Sequence, residues 1–260
     1  MLTDLVAVVV NRTLGGRDGG ADILDLSLDT LQGLTSLSGG VSDTLDDRLE
    51  SARRTGQRLC RGPERLVATG ERQRLIAGVP LAPDSVLRLG SITKQFTAVA
   101  ILMLAEEGKL SLQDPIEKHL PGYPTQGHVI TIEHLLTHTS GIQSYTDMPG
   151  WMTTRILAPM SVEELVDGFK REPMQFAPGT RWAYNNSAYV LLGAIVEKAS
   201  GRTYEAFVRE RVFEPLGMSS SLYDRTETIV PRRARGYTLQ GDEPRNAAYL
   251  SMTQPYSAGS

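Results

Sequence analysis

The sequence predicts a mainly helical domain over its middle, entered by one short strand. Three observations carry this. Phe96 to Ala105 is almost unbrokenly apolar, through Phe96, Ala98, Val99, Ala100, Ile101, Leu102, Met103 and Leu104, the mark of a core helix that is apolar on most faces. Helix-start signals recur at Thr131 and Thr203 and at Ser161 with Glu164, which fit a capping box. Glycine and proline punctuate the stretches between, as at Pro178-Gly179 and Pro215-Leu216-Gly217, and so mark loops.

Taken in order, Val79 to Val86 is a turn-rich approach and Val86 to Leu89 a short strand. The apolar helix begins near Ser91, and Gly108 after Glu106-Glu107 stops it. Asp114-Pro115 starts the next element, with proline at the first helical position. Thr131 caps a helix through Ile132, Leu135 and Leu136 that ends at His138-Thr139-Ser140-Gly141. Ser161 and Glu164 precede Leu165, Val166 and Phe169. Asn186 or Ser187 caps a helix through Tyr189, Leu191, Leu192, Ile195 and Val196 to Gly201, and Thr203 one that turns Phe207, Val208 and Val212 inward.

The 260 residues suffice for one large domain or two intertwined ones, but the composition is uneven. No Phe, Tyr, Trp, His or Lys precedes Lys94, so the first third lacks the side chains that contribute most to core burial. Leu5 to Val10 reads as a strand and Asp43 to Arg54 as a short amphipathic helix. Residues 1–75 are accordingly read as an atypical segment, weakly ordered or misassigned, ahead of a domain over 76–260. Arg53, Arg54, Arg58, Arg61 and Arg65 form a solvated basic face, or a small anion-binding patch.

A net charge of −3 gives no electrostatic case for nucleic acid or an anionic membrane. The single cysteine, Cys60, offers neither an internal disulfide nor metal-ligand spacing. The run Leu5 to Val10 is too short for a signal h-region or a membrane span. The default placement is cytoplasmic, with periplasmic or secreted as the alternative if the true N-terminus is missing.

Two stretches carry chemistry. In Ser91-Ile92-Thr93-Lys94 a hydroxyl and an amine lie three residues apart at a helix start, on one face. A cation there opposes the helix dipole, which points to a chemical use for Lys94. A serine needs a neighbouring base, and desolvation can keep a lysine neutral enough to serve. The alternative is a serine cap and a solvated lysine, since S-x-x-K arises by chance about once in a chain of this length. The second stretch, Phe176 to Ser187, sets Tyr184 and Asn186 on a loop entering a helix, where polar groups can be aimed at a ligand. The alternative there is a loop tyrosine and a helix cap. His138 is read as a hydrogen-bonded structural residue rather than a general base. His134 and His138 are spaced for zinc, but Leu135-Leu136-Thr137 lacks the glutamate of a zinc protease.

Together these residues resemble the penicillin-recognising serine hydrolases: class C β-lactamases, β-lactamase-like esterases and D-amino-acid peptidases. The resemblance runs from Val79 to Ser260, with its signatures in the family's order. They are Gly90-Ser91-Ile92-Thr93-Lys94, Leu110-Ser111-Leu112 with Asp114-Pro115-Ile116, Thr131 to Gly141, Tyr184-Asn185-Asn186, Leu192-Gly193, and Pro215-Leu216-Gly217-Met218. It implies an α+β fold, an antiparallel sheet flanked by helices plus a helical domain, with the active site between them. It implies Ser91 as the acylated nucleophile, Lys94 and Tyr184 as its proton carriers, and Asn186 as the residue that holds the substrate amide. The Ser91 N–H would be one oxyanion donor. No metal or organic cofactor is implied, and the partner is a small molecule or peptide with a reactive carbonyl.

Two departures qualify it. No convincing strand pair precedes Arg74, and no K-T-G or H-x-G strand follows Tyr184 to Asn186. The sheet is therefore expected to be incomplete, lacking its C-terminal strands, and hydrolysis of an ester, amide or β-lactam to be impaired by truncation. The competing expectations are a non-catalytic fragment or pseudoenzyme that only binds a ligand or partner, and a purely structural helical protein.

Overall fold

The computed structural model describes residues 82–260. Nearly all of these belong to one compact unit, Asp84–Thr238 with Arg245–Ser260. The expected strand at Leu5 to Val10, the helix at Asp43 to Arg54, the arginine cluster and the segment 1–75 lie outside the described residues.

A 3-10 turn, Gly90–Ile92, leads into α1, Thr93–Glu106. The expected strand at Val86 to Leu89 is a single parallel bridge between Val86 and Arg233, fixed by Val86 N–H to the Arg232 carbonyl (3.0 Å) and Ala234 N–H to the Val86 carbonyl (2.9 Å). Asp224 receives Arg88 at 2.9 Å and pairs with Arg233. These contacts hold the approach to Ser91 by its backbone and by charge, so no longer strand is required. Gly90 then turns at φ +57°, a conformation that costs a glycine nothing.

α1 buries one stripe, Thr93, Lys94, Thr97, Ala100, Ile101 and Leu104, with the spacing of a helix packed on one side. It is not the all-round core helix its composition predicts. That place belongs to α4, Asn186–Ser200, which buries every residue from Ser187 to Val196. Its cap is Asn185, one residue earlier than expected, whose side chain accepts from the Ala188 N–H at 2.8 Å. Gly201 closes it at φ +70°, as a left-handed C-terminal glycine does.

The smaller helices follow their sequence signals. α2, Ile132–Leu136, is closed by a reciprocal box in which the His134 N–H donates to the Thr131 hydroxyl and the Thr131 N–H to His134 Nδ1, both 3.2 Å. α3, Val162–Asp167, has the expected box between Ser161 and Glu164. α5, Tyr204–Val208, is capped by Thr203 and continues as a π-helical turn, Arg209–Phe213. Asp114-Pro115 starts only a 3-10 turn, Ile116–Lys118, with Pro115 extended just ahead of it. Asp114 is instead a hub that accepts from the Ser111 N–H, Lys118 and His119.

β1, Tyr237–Gln240, and β2, Glu243–Asn246, make an exposed two-stranded hairpin. Among the described residues this hairpin is the one sheet, short of the larger antiparallel sheet the resemblance implies.

A short last helix, α6, Tyr256–Gly259, packs against both α1 and α4. Gly193 permits this: a Cβ there would fall 2.1 Å from Ser257 Oγ and 2.6 Å from Tyr256 Cε1. Ser257 Oγ donates to the Tyr189 carbonyl (2.8 Å), and Thr97 donates to the Ser257 carbonyl (2.6 Å). Fully buried Gln254 accepts from Trp151 Nε1 at 2.9 Å and donates to the Arg155 and Ala158 carbonyls. A buried amide with its polar atoms paired fixes one arrangement of the chain around it.

Candidate active site

Four residues from two distant stretches meet at the mouth of the α1–α4 contact. The Tyr184 hydroxyl donates to Ser91 Oγ at 2.7 Å. Lys94 Nζ lies 3.3 Å from the same oxygen, one helical turn further on. Lys94 also donates to Asn186 Oδ1 at 2.7 Å and to the Ala258 carbonyl at 2.8 Å. Its amine stands 4.7 Å from the centre of the Tyr184 ring. Ser91 and Tyr184 remain exposed to solvent, whereas Lys94 is buried. A nucleophile open to a ligand thus sits above a sheltered amine.

Burial pushes the Lys94 amine down from 10.5 to about 8. The first turn of α1 holds no acidic residue, so no carboxylate there offsets the cost of placing a cation at a helix N-terminus. Three acceptors, Ser91 Oγ, Asn186 Oδ1 and the Ala258 carbonyl, match the three N–H bonds of an ammonium. On losing a proton the amine keeps two donors and gains a lone pair. It can then accept the Ser91 proton while staying bonded to Asn186 and Ala258.

Asn186 has both ends of its amide engaged. Its Oδ1 faces Lys94, and its Nδ2 donates to Thr146 Oγ1 at 2.9 Å. Ser144 Oγ accepts from the Asn186 N–H at 3.2 Å and lies 3.0 Å from Thr146 Oγ1. Ser187 Oγ accepts from the Tyr145 N–H at 2.8 Å. The 144–146 turn is thereby tied to the start of α4, which sets the amide's orientation.

The loop carrying Tyr184 lies along the His138–Gly141 segment. Ala183 N–H donates to the His138 carbonyl (2.9 Å), Gly179 N–H to the Thr139 carbonyl (2.9 Å), and Gln175 N–H to the Gly141 carbonyl (2.8 Å). Gly141 sits at φ +73°, with room for no side chain because a Cβ would lie 2.0 Å from the Phe176 carbonyl oxygen. His138 Nδ1 accepts from the Asn185 N–H at 3.1 Å. Burial, and then the Lys94 charge, lower its pKa to about 4. His134 Nδ1 accepts from the N–H of its own helix cap, Thr131, whereas His138 Nδ1 accepts from the Asn185 N–H of the facing loop.

The structure therefore brings all four sequence-predicted site residues, Ser91, Lys94, Tyr184 and Asn186, within one hydrogen-bonded group. Sequence reasoning missed the Ala258 carbonyl, a backbone atom with no side-chain signature. It also missed Thr146 and Ser144, whose only trace is two hydroxyl residues, one on each side of Tyr145, shortly after the Thr139-Ser140-Gly141 string.

The Beta-lactamase family profile matches residues 50–260. A penicillin-binding protein of Bacillus subtilis (strain 168) is 39% identical over 163 residues, covering 61% of this chain and 35% of that relative. The crystal structure of a penicillin-binding protein from Bacillus halodurans superposes with a TM-score of 0.63 at 35% identity, over 70% of this chain and 56% of the other. D-amino acid amidase from Ochrobactrum anthropi SV3, complexed with L-phenylalanine, gives a TM-score of 0.62 at 29% identity, over 71% and 53%. These solved neighbours have the β-lactamase/transpeptidase fold. The chain spans 35% of the length of the Bacillus subtilis relative and about half of each solved structure.

Proposed function

Because this chain belongs to the Beta-lactamase family, we propose that its Ser91 group is a serine hydrolase centre working through an acyl-enzyme. One observation carries the proposal: Ser91 Oγ lies 2.7 Å from the Tyr184 hydroxyl and 3.3 Å from the Lys94 amine. Those contacts bring together residues 93 positions apart in the chain.

In the acylation step Ser91 Oγ attacks a carbonyl carbon as its proton passes to the Lys94–Tyr184 pair. Both groups lie within hydrogen-bond reach of the same oxygen, so the role of base is given to the pair. The resulting oxyanion is held in part by the Ser91 N–H at the helix start. Collapse breaks the bond to the leaving group, which takes up the proton and departs, and Ser91 is left as an ester. Water, deprotonated by the same pair, then attacks that ester; the acid is released and Ser91 recovers its proton. Asn186 keeps the Lys94 amine in register and, on a shift of its Thr146 bond, faces a substrate amide.

The substrate is a small molecule or peptide with an ester, amide or β-lactam carbonyl. The relatives named as penicillin-binding protein and D-amino acid amidase support that range.

The test is covalent labelling with a fluorophosphonate and with a fluorescent penicillin, followed by peptide mass spectrometry. An adduct on Ser91, absent from Ser91→Ala, is expected. Folded, soluble chain left unlabelled by both probes would reduce the site to a non-catalytic binding cleft.

A further inference from the structure

Tyr184 is the exposed member of the group and stands on a loop, the kind of element that loses precision first. What holds it is one residue on the facing segment. His138 is one of only a few non-glycine residues described at positive φ (+60°), a strained backbone setting that a fold keeps where the geometry is used. Two of its polar groups take the backbone N–H on either side of Tyr184. The carbonyl accepts from Ala183 at 2.9 Å, and Nδ1 accepts from Asn185 at 3.1 Å. The ring also lies against the Tyr184 ring, with centroids 4.8 Å apart, and against Tyr189 and Trp182 at 5.1 Å and 6.0 Å. Tyr184 is thus clasped at both flanking amides and along its ring by a single side chain and its own carbonyl.

The geometry points to His138 as the positioning residue that holds the Tyr184 hydroxyl on Ser91. It does not reach the reacting atoms, and it acts by fixing the loop. For Nδ1 to accept, the imidazole must be neutral with its proton on Nε2. The burial that lowers the pKa of His138 keeps it in that form across the neutral range. The catalytic part of this inference rests on the proposed hydrolase function, whereas the loop-holding part stands on the hydrogen bonds alone.

Two substitutions separate the contributions, since both residues tolerate the left-handed backbone. His138→Asn keeps an acceptor oxygen at the same bond count from Cα as Nδ1 but removes the ring. His138→Gly removes the ring and the acceptor. Hydrogen exchange of the Asn185 amide should stay slow in wild type and in His138→Asn, and speed up by about tenfold or more in His138→Gly. The rate of Ser91 labelling by the fluorophosphonate should fall by about tenfold or more in His138→Gly and recover in His138→Asn. In a Tyr184→Phe background the same glycine substitution should cost little, because the group it positions is already gone.

Equal exchange of the Asn185 amide in wild type and His138→Gly would overturn the inference, as would an undiminished glycine effect on labelling in the Tyr184→Phe background. A measurement on wild type alone covers the case in which a variant fails to fold. Nitrogen-15 spectra should place the imidazole proton on Nε2 at pH 7, and a proton on Nδ1 would equally refute the clasp. If wild type is not labelled at Ser91 at all, the hydrolase proposal falls, while the exchange measurement still decides whether His138 holds the loop.

Discussion

Lys94→Met offers a stability measurement that probes the site without a substrate. The folded chain lowers the Lys94 amine from 10.5 to about 8, through burial. Below pH 8 the folded and unfolded chains both carry the proton, and the folded state bears the full cost of a buried cation. Between pH 8 and 10.5 the folded state has released that proton while the unfolded state still holds it, so stability rises with pH. At about 1.4 kcal/mol per pKa unit, wild type gains roughly 2.5 kcal/mol from pH 7 to pH 10 through this residue. Lys94→Met lacks the term, so the difference between the two chains isolates it from the other lysines and tyrosines. Urea unfolding at intervals from pH 7 to pH 10 measures that difference. Wild type should improve steadily relative to the variant, mainly above pH 8. A flat difference, or one moving the opposite way, would mean that the amine stays charged and is no candidate for the base.

Other outcomes follow from the same geometry. Tyr184→Phe removes a proton carrier and should slow Ser91 labelling by about a hundredfold or more, with little change in melting temperature because the ring is half exposed. Gly193→Ala drives a methyl group against Ser257. It should destabilise the chain by about 1–3 kcal/mol and also slow labelling, since α6 carries the carbonyl that holds Lys94; intact labelling would show that α6 is dispensable. Thr131→Ala removes the hydroxyl that caps α2 and should cost about 1 kcal/mol in thermal unfolding, without changing the labelling rate of correctly folded chain. Acid titration offers a last test. His138 has a folded pKa of about 4, below the usual histidine value, so its contribution to stability is lost as pH falls from about 6.5 through 4. His138→Asn should lack that part of the acid response.

The sequence by itself determined the parts of this protein that depend on neighbours along the chain. Ser91 and Lys94 share a face because they are three apart on a helix. The capping hydroxyls of Thr131, Ser161 and Thr203 start the helices that their positions foretell. The order of motifs named the family, and the residues it marked are the ones that meet. Tertiary structure alone decided the rest. It made α4 rather than α1 the central helix, because burial depends on what surrounds a helix and not on its composition. It replaced an expected strand with one bridge between Val86 and Arg233. It moved the α4 cap to Asn185, because the side chain of Asn186 is taken by Lys94 and Thr146. It also set the Ala258 carbonyl on Lys94 and the His138 ring on Tyr184. Backbone carbonyls carry no sequence signal, and partners 46 or 164 residues apart follow no local period, so only the packed chain could bring them together.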